Sequence, residues 1–212
     1  MCSHYEAPTP TRLLNDFGVT PTGPFQEQIW PTSIGAFIRS QPDESTNDNH
    51  PPIAALTGQF GLLPFWAKDR NLGRHTYNAR SETVADKPSF RAAWKAGRHC
   101  VVPAAAIYEP DWRSGKAIAT RITSDDGSIL AIAGLWEHWM TPEGETLFSY
   151  TMLTVNADDH QLMRNFHKHQ NEKRMPVILS NDAINDWLNA TALQSSEFMR
   201  QYPSNRLQAS AT

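Results

Sequence analysis

Beyond residue 99 the chain is written in short apolar runs cut by turn clusters, and this pattern constrains the fold more than any other stretch. CVVPAAAIYEP (100–110), AIATRIT (117–123), ILAIAGLWEHWM (129–140) and LFSYTMLTVN (147–156) are separated by DWRSGK, SDDGS and TPEGE. β-branched and aromatic residues bounded by Gly, Asp, Ser and Pro read as strands, and their close succession reads as an antiparallel meander. A sheet of this kind curls around a core when helices cover it. The fold class expected is therefore α+β, a strongly twisted, barrel-like antiparallel sheet with flanking helices.

The helices are brief. TPTRLLNDFG (9–18) offers Thr9 or Thr11 as cap, Leu13, Leu14 and Phe17 on one side, and Gly18 as stop. Pro88 suits a first helical position ahead of SFRAAWKAG, which Gly97 ends. Further helices are expected over ADDHQLMRNF (157–166) and over NDAINDWLN (181–189), the latter capped by Asn181 or Asp182, with a strand over MPVILS (175–180) between them. QPDESTNDNHPP (41–52) is polar and bounded by proline, and reads as a mobile surface loop between two strands. With 212 residues, no internal repeat and a weakly patterned tail ending RLQASAT, the chain reads as one domain, 1–212.

A net charge of −3 argues against a nucleic-acid binder until it is divided along the chain. From Lys68 to His99 eight Lys and Arg face three acids, a local +5 that leaves −8 elsewhere. Trp66, Tyr77, Phe90 and Trp94 are interleaved with those charges. Cations that hold phosphates beside rings that stack on bases are what a single-strand surface requires, although some of these rings must serve the core.

Two cysteines, Cys2 and Cys100, are too few for a disulfide framework, so free thiols in a reducing compartment are expected. Cys100 lies in an apolar strand and reads as core. No apolar run reaches membrane-spanning length and the N-terminus lacks a secretory pattern, so a cytoplasmic protein without a membrane partner is expected. His160, His167 and His169 invite a metal reading, but Lys168 and Lys173 stand beside them and only Asp158 or Asp159 is at hand as a carboxylate. Neither a metal nor another cofactor is expected. Small penultimate side chains permit removal of the start methionine, so Cys2 is expected to carry a free α-amine as well as its thiol.

Cys2, TYNARSET (76–83), IYEP (107–110) and the FHKH and KRMPVIL elements between 166 and 179 stand out together. In this order they resemble the SRAP family, SOS-response-associated proteins that capture abasic sites in DNA, over nearly the whole chain. FGLLPFW (60–66) and RHCVVPAAAIYE are similar to two further family stretches. The departures are Ser3-His4 where the family has Gly-Arg, Phe60 for Trp, Pro110 after Glu109, and the inserted KHQNEK (168–173), which interrupts a family His-Asp-Arg-Met-Pro run.

The resemblance implies a sensor of abasic sites in single-stranded DNA, with Cys2, Asn78, Glu109 and His167 as the reacting group. Arg80, Trp66, Arg174 and His4 are the DNA contacts it suggests, with pairing to Glu82 as the alternative for Arg174. It implies a monomer that joins the nucleoid when bound to damaged DNA. The chemistry explains the residue types. A ring-opened abasic site is an aldehyde, an α-amine of reference pKa about 7.7–8.0 condenses with it to an imine, and the thiol on the same residue adds to the imine carbon. His167 would protonate the sugar oxygen, Glu109 would shuttle a proton from the amine, and Asn78 would orient the amine or a phosphate. Two other functions stay open: an N-terminal-nucleophile cysteine peptidase, its own leader among the amides it could cleave, and a single-strand binding module without chemistry.

Overall fold

The structure is a computed structural model that describes residues 2–41 and 52–211; most of the loop expected at 41–52 lies outside the described residues. Thirteen strands are present among these residues: β1 (His4–Glu6), β2 (Gln28–Ile29), β3 (Ile34–Ser40), β4 (Ile53–Phe60), β5 (Asn78–Arg80), β6 (His99–Ala104), β7 (Ala106–Asp111), β8 (Ile118–Ser124), β9 (Leu130–Met140), β10 (Thr146–Asn156), β11 (Arg174–Pro176), β12 (Ile178–Leu179) and β13 (Leu207–Ala211). Three short α-helices flank them: α1 (Pro10–Phe17), α2 (Arg91–Lys95) and α3 (Ile184–Asn189).

Five of the strands close a ring. β10 pairs with β4, β4 with β3, β3 with β6, β6 with β9, and β9 with β10 again. The fold is thus α+β and barrel-like as expected. It differs from a pure antiparallel sheet in two pairings, since β4 and β5 both run parallel to β10. Where the far ends of β9 and β10 diverge, residues 174–179 wedge between them. Val177 donates to Leu153 O at 2.9 Å and accepts from Ala133 N at 2.8 Å. Inside the ring Tyr150 stacks on Phe60 and packs at a tilt against Phe37, and the hydroxyls of Tyr5 and Tyr150 meet at 2.5 Å. A Cβ on Gly35 would collide with both hydroxyls, so this closure demands glycine there.

The second sheet, β13–β8–β7–β1–β2, is antiparallel throughout. It corrects the meander. CVVPAAAIYEP is two strands, because at Ala105 the chain leaves the ring and joins the second sheet, where Ala105 N donates to Glu6 O at 2.7 Å. β8 and β9, neighbours in sequence, therefore belong to different sheets.

Helix α1 follows its sequence signals: Thr9 Oγ1 accepts from Arg12 N at 3.3 Å, and Gly18 takes φ 70°. The helix expected over 157–166 is absent, replaced by a single 3₁₀ turn at Met163–Asn165. The cause is His160, whose Nδ1 accepts from the backbone N–H of Leu162 and Met163 while Nε2 reaches Tyr202 O at 2.8 Å. A side chain that takes those donors competes with the helical ladder. Neither Asn181 nor Asp182 caps α3; both lie in a 3₁₀ turn ahead of it, and Ala183 occupies the cap position.

His99 is buried at the head of β6, its ring 4.0 Å from that of Trp187 and its Nε2 2.8 Å from Ser195 Oγ. Burial pushes its pKa down to about 4 from the ordinary 6.5. Between those values the unfolded chain binds more protons, so the contribution of neutral His99 is complete above pH 6.5 and is lost as the pH falls toward 4. A shift of this size corresponds to about 3 kcal/mol. In urea titrations, His99→Gln should shrink the loss of stability between pH 7 and about pH 4.5 by about 2–3 kcal/mol. An unchanged loss would assign the acid sensitivity to other groups.

Candidate functional site

The end of β7 is where the separate pieces of sequence meet. Cys2 precedes β1, β1 pairs with β7, and the thiol is buried and donates to His4 O at 3.4 Å. Burial first, and then the Glu109 carboxylate, push its pKa up from the usual thiol range. Asn78 opens β5, which β10 holds in parallel register (Met152 opposite Asn78). Its Nδ2 donates to Cys2 O at 2.7 Å, while its buried Oδ1 accepts no hydrogen bond among the described residues.

Glu109 lies on β7 with 1% of its surface exposed. His167 reaches it from the other side of the fold. Phe166 bridges to Asp111, His167 N donates to Pro110 O at 2.8 Å, and the chain turns at His167 through φ 62°. This sets His167 Nε2 2.6 Å from Glu109 Oε2, a charge-pair distance, although among the described residues neither carboxylate oxygen accepts an aligned hydrogen bond. The site therefore holds a thiol, an amide oxygen, a carboxylate and an imidazole linked to that carboxylate. Such a set can bind a protonated amine and pass protons to and from a small electrophile.

The expected DNA contacts divide. Arg80, at the end of β5, is half exposed, with its guanidinium 2.8 Å from Glu172 Oε2. Trp66 is 44% exposed and its neighbour Phe65 75%, both presented by the turn that Ala67 N closes on Pro64 O. Phe65 went unnoticed in the sequence, although a ring after Pro64 in a basic neighbourhood is a fair signal of display. Phe90 and Trp94 are core.

Arg174 is 2% exposed. It donates to Thr154 Oγ1 and O, to Glu172 Oε1 at 2.6 Å and to Glu82 Oε2 at 2.8 Å, so the pairing with Glu82 is the alternative realised. His4 is likewise committed. Its ring is stacked between Trp30 (3.9 Å) and Tyr108 (4.2 Å), with Nε2 2.6 Å from Gln28 Oε1. Strand alternation places His4 and Tyr108 on the outer face of the second sheet, opposite the face of Tyr5, Ile107 and Glu109. Trp30 was not singled out in the sequence either; it starts a turn in which Pro31 precedes Thr32 at φ 78° and Ser33 N donates to Trp30 O. Among the described residues no group of three or more His, Cys, Asp or Glu is arranged to hold a metal ion, and no helix is long and apolar enough to cross a membrane.

With this geometry in hand, comparison with known proteins is informative. The family profile described as "SOS response associated peptidase (SRAP)" matches residues 1–211. The abasic site processing protein YoqW of Bacillus subtilis (strain 168) is 40% identical over 132 residues, which is 62% of this chain and 55% of the relative. The abasic site processing protein HMCES of Xenopus tropicalis is 34% identical over 158 residues, 64% of this chain and 44% of the relative. The chain thus spans about half the length of these curated relatives. A crystal structure of a protein from Bordetella bronchiseptica superimposes with a TM-score of 0.89 at 44% identity, covering 100% of this chain and 99% of the other. One from Bacteroides thetaiotaomicron shares the fold, with a TM-score of 0.77 at 19% identity, over 99% and 91% of the two chains.

Proposed function

Because this chain belongs to the SOS response associated peptidase (SRAP) family, we propose that it captures abasic sites in single-stranded DNA through a covalent thiazolidine on Cys2. The observation that carries this reading is the convergence of Cys2, Asn78, Glu109 and His167 from four distant parts of the sequence. The names of YoqW and HMCES, both abasic site processing proteins, support the substrate class.

Each step balances. While Met1 is attached, the Cys2 nitrogen is an amide and cannot condense with an aldehyde. Once it is free, the α-amine condenses with the ring-opened sugar, expelling one water and forming an imine. The sulfur then bonds to the imine carbon while the thiol proton ends on nitrogen, closing a five-membered ring with no oxidant or reductant. Burial and the Glu109 charge disfavour a standing thiolate, so the sulfur enters as a thiol whose proton is moved during attack. His167 donates to the sugar oxygen as the ring opens, and Glu109 takes the proton that the ammonium must lose. The Asn78 and Glu109 oxygens, which meet no aligned donor among the described residues, suit the N–H groups that a free amine brings.

The test is incubation with an abasic single-stranded oligonucleotide followed by denaturing electrophoresis. A stable adduct without added reductant is expected, and its absence from protein lacking Met1 would sink the reading in favour of peptidase chemistry or plain binding. The half-exposed Arg80 adds a second expectation. Arg80→Ala should weaken binding to undamaged single strands and lower the slope of log K against log salt by about 0.7, the share of one phosphate contact. An unchanged slope would place the strand elsewhere.

A further inference from the structure

The sequence before Arg174 contains six residues, KHQNEK, that separate it from His167, and the last of them is Lys173. A long cationic side chain in an insertion is ordinarily solvated. Lys173 is buried instead, and its ammonium donates to Phe166 O (2.8 Å), His167 O (3.0 Å) and Lys168 O (2.8 Å). Three donors meet three acceptors, which is the complement that makes a buried ammonium tolerable. Its own N–H donates to Asp158 Oδ1 at 2.8 Å, anchoring the base of the side chain.

The carbonyls it gathers are those of His167 and its two neighbours. Successive carbonyls of an extended chain point to alternate sides, so three in a row reach one donor only where the backbone turns. His167 makes that turn at φ 62°, a left-handed conformation disfavoured for residues other than glycine. On its outer side the loop borders a cavity of about 630 Å³ lined in part by Trp112, Arg164, His169 and Asn171. Its other cation, Lys168, is exposed, with Nζ 4.8 Å from the Trp112 ring.

We propose that Lys173 is a positioning residue: its ammonium clamps the 166–168 carbonyls, holds His167 in its left-handed turn and so aims Nε2 at Glu109. It touches neither sugar nor sulfur. The insertion, which would otherwise loosen the histidine, carries its own fastening. The role in catalysis rests on the function proposed above; the role in geometry does not.

Two readouts separate them. In Lys173→Met, the ring ¹⁵N resonances of His167 at fixed pH should depart from those of the parent, and single-turnover crosslinking to abasic single-stranded DNA should slow about tenfold, as expected for a misplaced proton donor. Affinity for undamaged single strands should stay within about twofold, because the clamp faces the histidine and not the strand. Lys173→Arg should show smaller changes in the same direction, since a planar fork cannot put one donor on each of three converging carbonyls. Lys168→Met, which leaves the clamp intact, should match the parent. A folded Lys173→Met with parental His167 resonances and rate overturns the proposal. Should that variant fail to fold, Lys173→Arg decides by the same two readouts, and parental values overturn it. If the parent itself forms no adduct while the His167 resonances still move in the variants, the proposed function falls and the positioning role stands.

Discussion

Cys2→Ser should leave no adduct on a denaturing gel after incubation with abasic single-stranded DNA, while binding undamaged strands as the parent does. The reason is local. A free serine amine still forms a reversible imine, but the hydroxyl that replaces the thiol closes a weaker ring, and denaturation with hydrolysis removes it. Serine is close to cysteine in size and the thiol's hydrogen bonds to backbone, His4 O among them, are weak, so parental binding to undamaged strands serves as the check that the variant is folded. Intact mass supplies the companion measurement: adduct-competent protein should lack Met1. Equal crosslinking by Cys2→Ser and parent, or full activity with Met1 retained, would move the chemistry away from this residue.

His167→Ala should slow single-turnover crosslinking by about 10²-fold at saturating protein, the usual worth of a positioned general acid. The three nearby histidines can be told apart by what else they do. His169 is exposed, and His169→Ala should react like the parent. His160 caps two backbone N–H groups and ties to Tyr202 O, so His160→Ala should keep the rate while lowering stability by about 1–3 kcal/mol. A slow His169→Ala beside a parental His167→Ala would mean that the loop presents a different ring to Glu109 in the reacting complex.

The proposed reacting residues were legible because that chemistry restricts their identity. Only an N-terminal cysteine joins an amine to a thiol, and the blocks around Asn78, Glu109 and His167 stand close to recognisable motifs. The contacts were legible less evenly. Arg174 looks like a phosphate ligand by charge, yet it opens the apolar run RMPVIL, which fills the gap between two diverging strands, and the guanidinium goes inside with the strand. Lys173 was legible only as a positive charge beside the histidines, since nothing in a linear pattern announces that three carbonyls will converge. The ring was hidden by distance, since Tyr150 pairs with Phe60 across ninety positions and no local periodicity records such a partner. Ala105 was hidden by monotony, as an unbroken apolar run does not mark where it changes sheets.

The burial of Cys2 places maturation on a clock. The proposed chemistry needs the Cys2 α-amine free, and in the fold the Cys2 side chain is buried next to the pairing of β1 with β7, so removal of Met1 is expected before that pairing forms. The partner strand ends at Asp111, and at a synthesis rate of about 5–20 residues per second the nascent chain waits about 5–20 s for it. Under the proposed function, trimming is expected in that interval on the ribosome. In a chain that keeps Met1 the Cys2 nitrogen stays an amide, and the proposed ring cannot close.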